Sequence, residues 1–270
     1  MIHKVFIVPY DFTPVADNAL NHALTAAQLV VDARVYVLHL VNKTKEIEAA
    51  EQKLTAVLSS ITTTVEVVSS VRVGSIFEEI GEFASEHHAE LIFMGTHGIS
   101  GWQKIAGSNA MKVITSSVVP FVVVQDKKIG ENGYDSIVVP LDLNVETKQK
   151  LGYVANIATY FKSHVHIVLP DEKDDYFKRK ILVNIKFARK FFEERNINFD
   201  VTTLKSTSFE KEVLKYAQTV NADLIAIMNL IGNSIIPGLS TKPEEYLITN
   251  DANIPILILN PTKTISSLFN

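Results

Sequence analysis

Cysteine is absent from the 270 residues. That excludes disulfides, thiol nucleophiles and thiolate-bound metals, and it fits a reducing compartment. Neither sign of charge dominates: 26 basic residues stand against 30 acidic ones, so no broad cationic surface is offered to nucleic acid. No apolar run approaches the roughly 18 residues that a membrane-spanning helix needs. The segment Met1–Pro9 reads as the start of a strand, without a basic leader or a cleavage site. The expectation is a cytoplasmic protein with neither nucleic acid nor membrane as a partner. What is plentiful is apolar surface, 47% of residues, enough to build a large core.

Those apolar residues fall into two rhythms. Lys4–Val8, Arg34–Val41, Leu91–Met94 and Pro120–Val124 are short runs of the kind that parallel strands buried on both faces require, and Val65–Val73 alternates. Between them lie stretches with helical spacing. Ala16, Ala19, Leu20, Ala23, Ala27 and Val30 follow Thr13-Pro14, an N-cap and a first helical residue. Ser75 precedes Ile76, Phe77, Ile80, Phe83 and Ala84 in the same manner. Strands alternating with helices predict an α/β fold with a doubly wound parallel sheet.

The pattern then repeats. Val8-Pro9-Tyr10-Asp11 is echoed by Val139-Pro140-Leu141-Asp142, with Pro9 and Pro140 131 residues apart. Ala89-Glu90-Leu91-Ile92 is echoed 133 residues later by Ala222-Asp223-Leu224-Ile225, and Val119-Pro120-Phe121 is echoed 135 later by Ile254-Pro255-Ile256. A spacing that drifts so little marks an internal duplication. Residues 1–126 form the first predicted domain, 127–133 a polar linker, and 134–270 the second domain.

The stretch with chemical content is Gly95-Thr96-His97-Gly98 through Gly107-Ser108-Asn109, between the fourth strand and a helical pattern. Glycine permits close approach of backbone to an anion, and the first amides of a helix point at it unpaired. The loop is neither a Walker A motif, which needs a lysine after its last glycine, nor G-x-G-x-x-G. In the second copy the aligned glycines are Met228 and Ile231, and Pro237 and Pro243 intrude. That copy is expected to be a degenerate site.

Two copies of a five-stranded α/β domain, a first strand ending Val8-Pro9-Tyr10-Asp11, and the Gly98…Gly107-Ser108 loop resemble the universal stress protein family, in its tandem form. The resemblance covers nearly the whole chain. The family's nucleotide-binding branch carries G-x-x-G, nine residues, then G-S or G-T; here Gly98 and Gly107 enclose eight. The resemblance implies a strand order 3-2-1-4-5 in each domain, with ATP or another adenine nucleotide, with or without Mg, across the ends of strands 1 and 4. Carried over by position, Pro9 and Asp11 meet the adenine or ribose, and Val41 packs on the base. Met94 and Gly95 border base and ribose, and His97, Gly98, Gly107, Ser108 and Asn109 hold ribose and phosphates. It also implies a nucleotide-dependent stress regulator, as a homodimer of tandem chains. The alternative is a nucleotide-free scaffold that binds partner proteins.

No catalytic residue is assigned, because the motif contains no paired carboxylate or nucleophile; hydrolysis of ATP is expected to be slow or absent. Asp11 is also placed to stabilise a helix start. His39 reads as a satisfied core or rim histidine, and His87-His88 as surface. His164 and His166 share one strand face, but their spacing supplies no further ligand, so no metal site is expected.

Overall fold

The computed structural model describes residues 4–96, 114, 117–141, 147–229 and 243–261. The chain divides into two compact units, Met1–Gly133 and Tyr134–Asn270. Among the described residues no helix is long and apolar enough to cross a membrane.

The first unit runs β1 (Lys4–Pro9), α1 (Pro14–Gln28), β2 (Ala33–Val41), a single 3-10 turn (Thr44–Glu46), α2 (Ile47–Ser59), β3 (Glu66–Val73), α3 (Ile76–Glu86), β4 (Leu91–Gly95) and β5 (Phe121–Val124). Its strands are parallel and ordered β3-β2-β1-β4-β5. Burial differs along this order. β4 and β5 are almost wholly enclosed, while β3 is half exposed and takes the edge. Phe6 and Phe93 meet edge to face across β1 and β4, with ring centres 5.6 Å apart.

Helix α1 begins as its sequence dictates. Thr13 Oγ1 accepts the Ala16 amide, Pro14 stands in the first turn, and Asp17 lies where the helix dipole favours an anion. Its buried face is rich in alanine, with Ala16, Ala19, Ala23, Ala26 and Ala27 beside Val15, Leu20, His22 and Leu24. A face with so many alanines can sit very close to a sheet, and α1 packs on β1, β2 and β4. Asn18 and His22, one turn apart on α1, hold the chain after β5. Asn18 Nδ2 donates to the carbonyls of Gln125 (2.6 Å) and Lys127 (3.0 Å), and His22 Nε2 donates to that of Lys127 (2.9 Å). The polar segment after the fifth strand is therefore anchored at its start.

The second unit runs β6 (Ser136–Pro140), α4 (Thr147–Phe161), β7 (His164–Asp171), α5 (Asp175–Glu193), β8 (Asn198–Lys205), α6 (Phe209–Thr219), β9 (Leu224–Met228), α7 (Pro243–Ile248) and β10 (Ile256–Leu259). Its order, β8-β7-β6-β9-β10, is that of the first unit. The acidic segment after β7 has a structural role: Asp174 caps α5, accepting the amides of Tyr176 (2.8 Å) and Phe177 (3.2 Å). One surface assignment is corrected. His88 is exposed, but His87 is half-buried, its ring 4.3 Å from that of Tyr36 and 4.2 Å from that of Phe83. Burial lowers its pKa.

Candidate functional site

In the order 3-2-1-4-5, connections leave β1 and β4 toward opposite sides, which opens a crevice at their carboxyl ends. That crevice exists in the first unit. Pro9, Tyr10 and Asp11 enter it from β1, Met94 and Gly95 from β4, and Leu38, His39 and Leu40 from β2, while Ala16, Ile76 and Ile80 complete the wall. The floor is apolar and the polar groups stand at the rim, as small-molecule sites require.

The turn after β1 sets those polar groups. Asp11 Oδ1 accepts both the Thr13 amide (3.1 Å) and the Thr13 hydroxyl (2.5 Å). The carboxylate thus braces the entry to α1 with one oxygen while lining the crevice. Between them Phe12 adopts φ 64°, a left-handed conformation that a bulky residue holds only when its surroundings enforce it. Those surroundings are visible. The Phe12 ring packs against Tyr10 (5.3 Å) and His39 (4.6 Å), and the Lys53 ammonium lies 3.8 Å over it. The Tyr10 hydroxyl donates to Asp17 Oδ1. Burial, then that hydrogen bond and the charge of Asp17, raise its pKa far above normal, so it stays a donor.

His39 Nδ1 lies 2.7 Å from the Tyr10 carbonyl. A carbonyl can only accept, so Nδ1 carries the proton, and in the neutral ring Nε2 carries the lone pair. The sequence reading of a satisfied core or rim histidine agrees with this. The same bond fixes the ring at the crevice wall.

Gly95 ends β4 where the first turn of α1 comes closest. A Cβ on it would stand 2.4 Å from the Val15 carbonyl oxygen, 2.6 Å from its carbon and 3.0 Å from the Ala16 nitrogen. No side chain fits. The glycine lets the helix start crowd against the strand end. In the second unit the corresponding strand end is Met228, buried, paired with Leu259 as Gly95 pairs with Val124. There the buried ammonium of Lys150 donates to the Pro140 carbonyl at the end of β6. The two strand ends are chemically unlike.

Of the candidate residues read from sequence, Pro9, Asp11, Met94 and Gly95 come together in this crevice. Val41 lies just beyond its wall: its side chain is buried, and its carbonyl accepts the Gly74 amide at 3.1 Å. Its neighbours His39 and Leu40 take the lining position instead. His97, Gly98, Gly107, Ser108 and Asn109 lie outside the described residues.

The family comparisons bear on this geometry. A family model described as the universal stress protein family matches residues 42–125. A universal stress protein of Methanocaldococcus jannaschii is 27% identical over 145 residues, which cover 47% of this chain and 85% of that protein. Universal stress protein G of Shigella flexneri is 26% identical over 144 residues, covering 46% of this chain and all of that protein. The crystal structure of a universal stress protein from Archaeoglobus fulgidus shares the fold at a TM-score of 0.74 and 18% identity, over 96% of this chain and 98% of that one.

The first unit carries the universal stress protein match, over residues 42–125, and the whole chain has the fold of such a protein. A whole single-length relative spans less than half of it, whereas the Archaeoglobus fulgidus universal stress protein matches it from end to end. Both facts accord with a chain of two such folds in series.

Proposed function

We propose that this chain is a tandem universal stress protein, that it binds ATP or another adenine nucleotide in the crevice of its first unit, and that it acts as a nucleotide-dependent stress regulator. The observation that carries the reading is the crevice itself. It lies at the topological switch point between β1 and β4, with an apolar floor and with Asp11 and His39 at the rim. A flat base suits the floor of Leu38, Leu40, Ile76 and Met94. In this reading Asp11, whose Oδ1 is held by Thr13, accepts through Oδ2 from a ribose hydroxyl or the exocyclic amine of adenine. The residues that follow Gly95 in sequence are rich in glycine and include Ser108, the chemistry that cradles a phosphate tail.

Titration calorimetry with ATP, with and without Mg²⁺, is expected to find about one site per chain. Gly98→Val should abolish it. Asp11→Asn keeps an oxygen for the Thr13 amide but removes the charge, and should weaken binding about tenfold, the value of one hydrogen bond to a charged group. Absence of binding at millimolar ATP, together with no nucleotide absorbance at 260 nm in the purified protein, would end this reading. A partner-binding scaffold without nucleotide would then stand in its place.

A further inference from the structure

We propose that His164, His166 and Asp200, on the second unit's outer strands, form a binding site for one divalent transition-metal ion of the zinc class. The site is built by the sheet. Residues two apart on a strand face the same side, so β7 presents His164 and His166 together. In the parallel register of β7 and β8, Asp200 is the direct partner of His166. Strands lie about 4.8 Å apart in this direction, so the three side chains converge. Their donor atoms all lie within 4.8 Å of one another.

The arrangement within the cluster points to a cation. Both imidazoles turn a ring nitrogen to a single carboxylate oxygen: His164 Nε2 at 2.9 Å and His166 Nδ1 at 2.8 Å from Asp200 Oδ2. The other oxygen, Oδ1, is buried and has no hydrogen-bond partner among the described residues. Two donors crowd one acceptor while its twin goes unused, which hydrogen bonding alone does not favour. A metal ion resolves this. Each neutral ring moves its proton to its far nitrogen, the near nitrogens and the carboxylate turn lone pairs to the ion, and no net proton is released. In a tetrahedral zinc site, with bonds of about 2.0–2.1 Å, donors stand about 3.3 Å apart. The two nitrogen–oxygen separations, 2.8–2.9 Å, need open by only about half an ångström to reach that spacing, and the two nitrogens lie within 4.8 Å of each other.

Two imidazoles and one carboxylate suit zinc, cobalt, nickel or ferrous iron better than calcium or magnesium, and three protein donors leave a position for water. The side chains of His164 and Asp200 are each 44% exposed, which provides the entry path, while His166 is 13% exposed. Tyr216 of α6 backs the cluster, its ring 6.0 Å from that of His166. The first unit does something different at the corresponding place. Arg34, the counterpart of His164 in the strand register, pairs with Glu66 at 2.8 Å. At the positions of His166 and Asp200 the first unit has Tyr36 and Val68, so the ligand set belongs to the second copy alone. The site lies at the amino ends of its strands, so it is separate from the carboxyl-end chemistry proposed for nucleotide.

The test uses the full chain, stripped with EDTA and dialysed. Titration with ZnCl₂ is expected to show about one ion per chain with a rise in melting temperature, and Co²⁺ should give the visible absorption of a low-coordinate site. His164→Ala with His166→Ala should remove both signals, and Asp200→Asn should weaken binding about tenfold or more. Circular dichroism without metal confirms that each variant is folded; His164→Gln, at the most exposed ligand, serves if the double variant is not. Zinc uptake unchanged by these substitutions, or no uptake at all, overturns the proposal. No step uses nucleotide, so the outcome is independent of the function proposed for the first unit.

Discussion

Replacing Gly95 with alanine should destabilise the first unit by about 3 kcal/mol or more, visible as an early transition in urea unfolding. The added carbon would overlap the Val15 carbonyl and the Ala16 nitrogen at 2.4–3.0 Å. These are backbone atoms in a helix start already held by the Thr13 cap, so no rotamer change relieves the clash. Either α1 lifts from β4 or the strand end shifts, and both loosen the alanine-lined contact that buries Ala16, Ala19 and Ala23. Overpacking typically costs about 1–3 kcal/mol, and more where backbone must move. Gly81→Ala is the matched control. Among the described residues its new Cβ would meet only Ser117, at 3.9 Å or beyond, and alanine within α3 should gain up to about 1 kcal/mol from helix propensity. Opposite signs from the same substitution would locate the effect in the α1–β4 contact; equal stabilities would refute it.

The second large effect concerns acid. His22 is fully buried, and burial lowers its pKa to about 4 despite the bond it donates to the Lys127 carbonyl. In the unfolded chain it titrates near 6.5. Between those values the unfolded state binds more protons than the folded one, so stability rises with pH. The contribution is intact above about pH 6.5, is lost as the pH falls toward 4, and is flat below. At about 1.4 kcal/mol per pH unit, the loss over this window is roughly 3–4 kcal/mol at most. His22→Gln retains an N–H for the Lys127 carbonyl and carries no titrating group. Urea midpoints of the two proteins at pH 7, 5.5 and 4 should diverge as the parent falls faster. Parallel declines would show that carboxylates elsewhere govern the acid response.

Much of this fold is legible in the residues because its signals are local. Pro9 and Pro140 end their strands as expected, Thr13-Pro14 and Ser75 open their helices, and one repeat suffices to predict the same strand order in both units. The crevice is legible where it is made by strand ends, as with Pro9, Asp11, Met94 and Gly95. It is not legible where rotation of a neighbour decides: His39 and Leu40 line it while Val41 does not, and Ile76 and Ile80 join from a helix. His22 lies among Ala19, Leu20 and Ala23, so its burial could be inferred from the helical period, but its partner 105 residues away could not. The His164–His166–Asp200 cluster fails for the same reason. The pair is evident on one strand, but the third member depends on the register of β7 with β8, which no spacing encodes.

The hold of α1 on the backbone beyond β5 governs where this chain can be cut. A fragment ending at Val124 would keep every strand of its sheet, yet it would strip the acceptors from the Asn18 amide and the His22 imidazole. A buried ring nitrogen left without its carbonyl penalises such a fragment severely. Excision after Gly133 preserves both bonds, so a severed N-terminal half should express as a stable entity only when it includes Lys127.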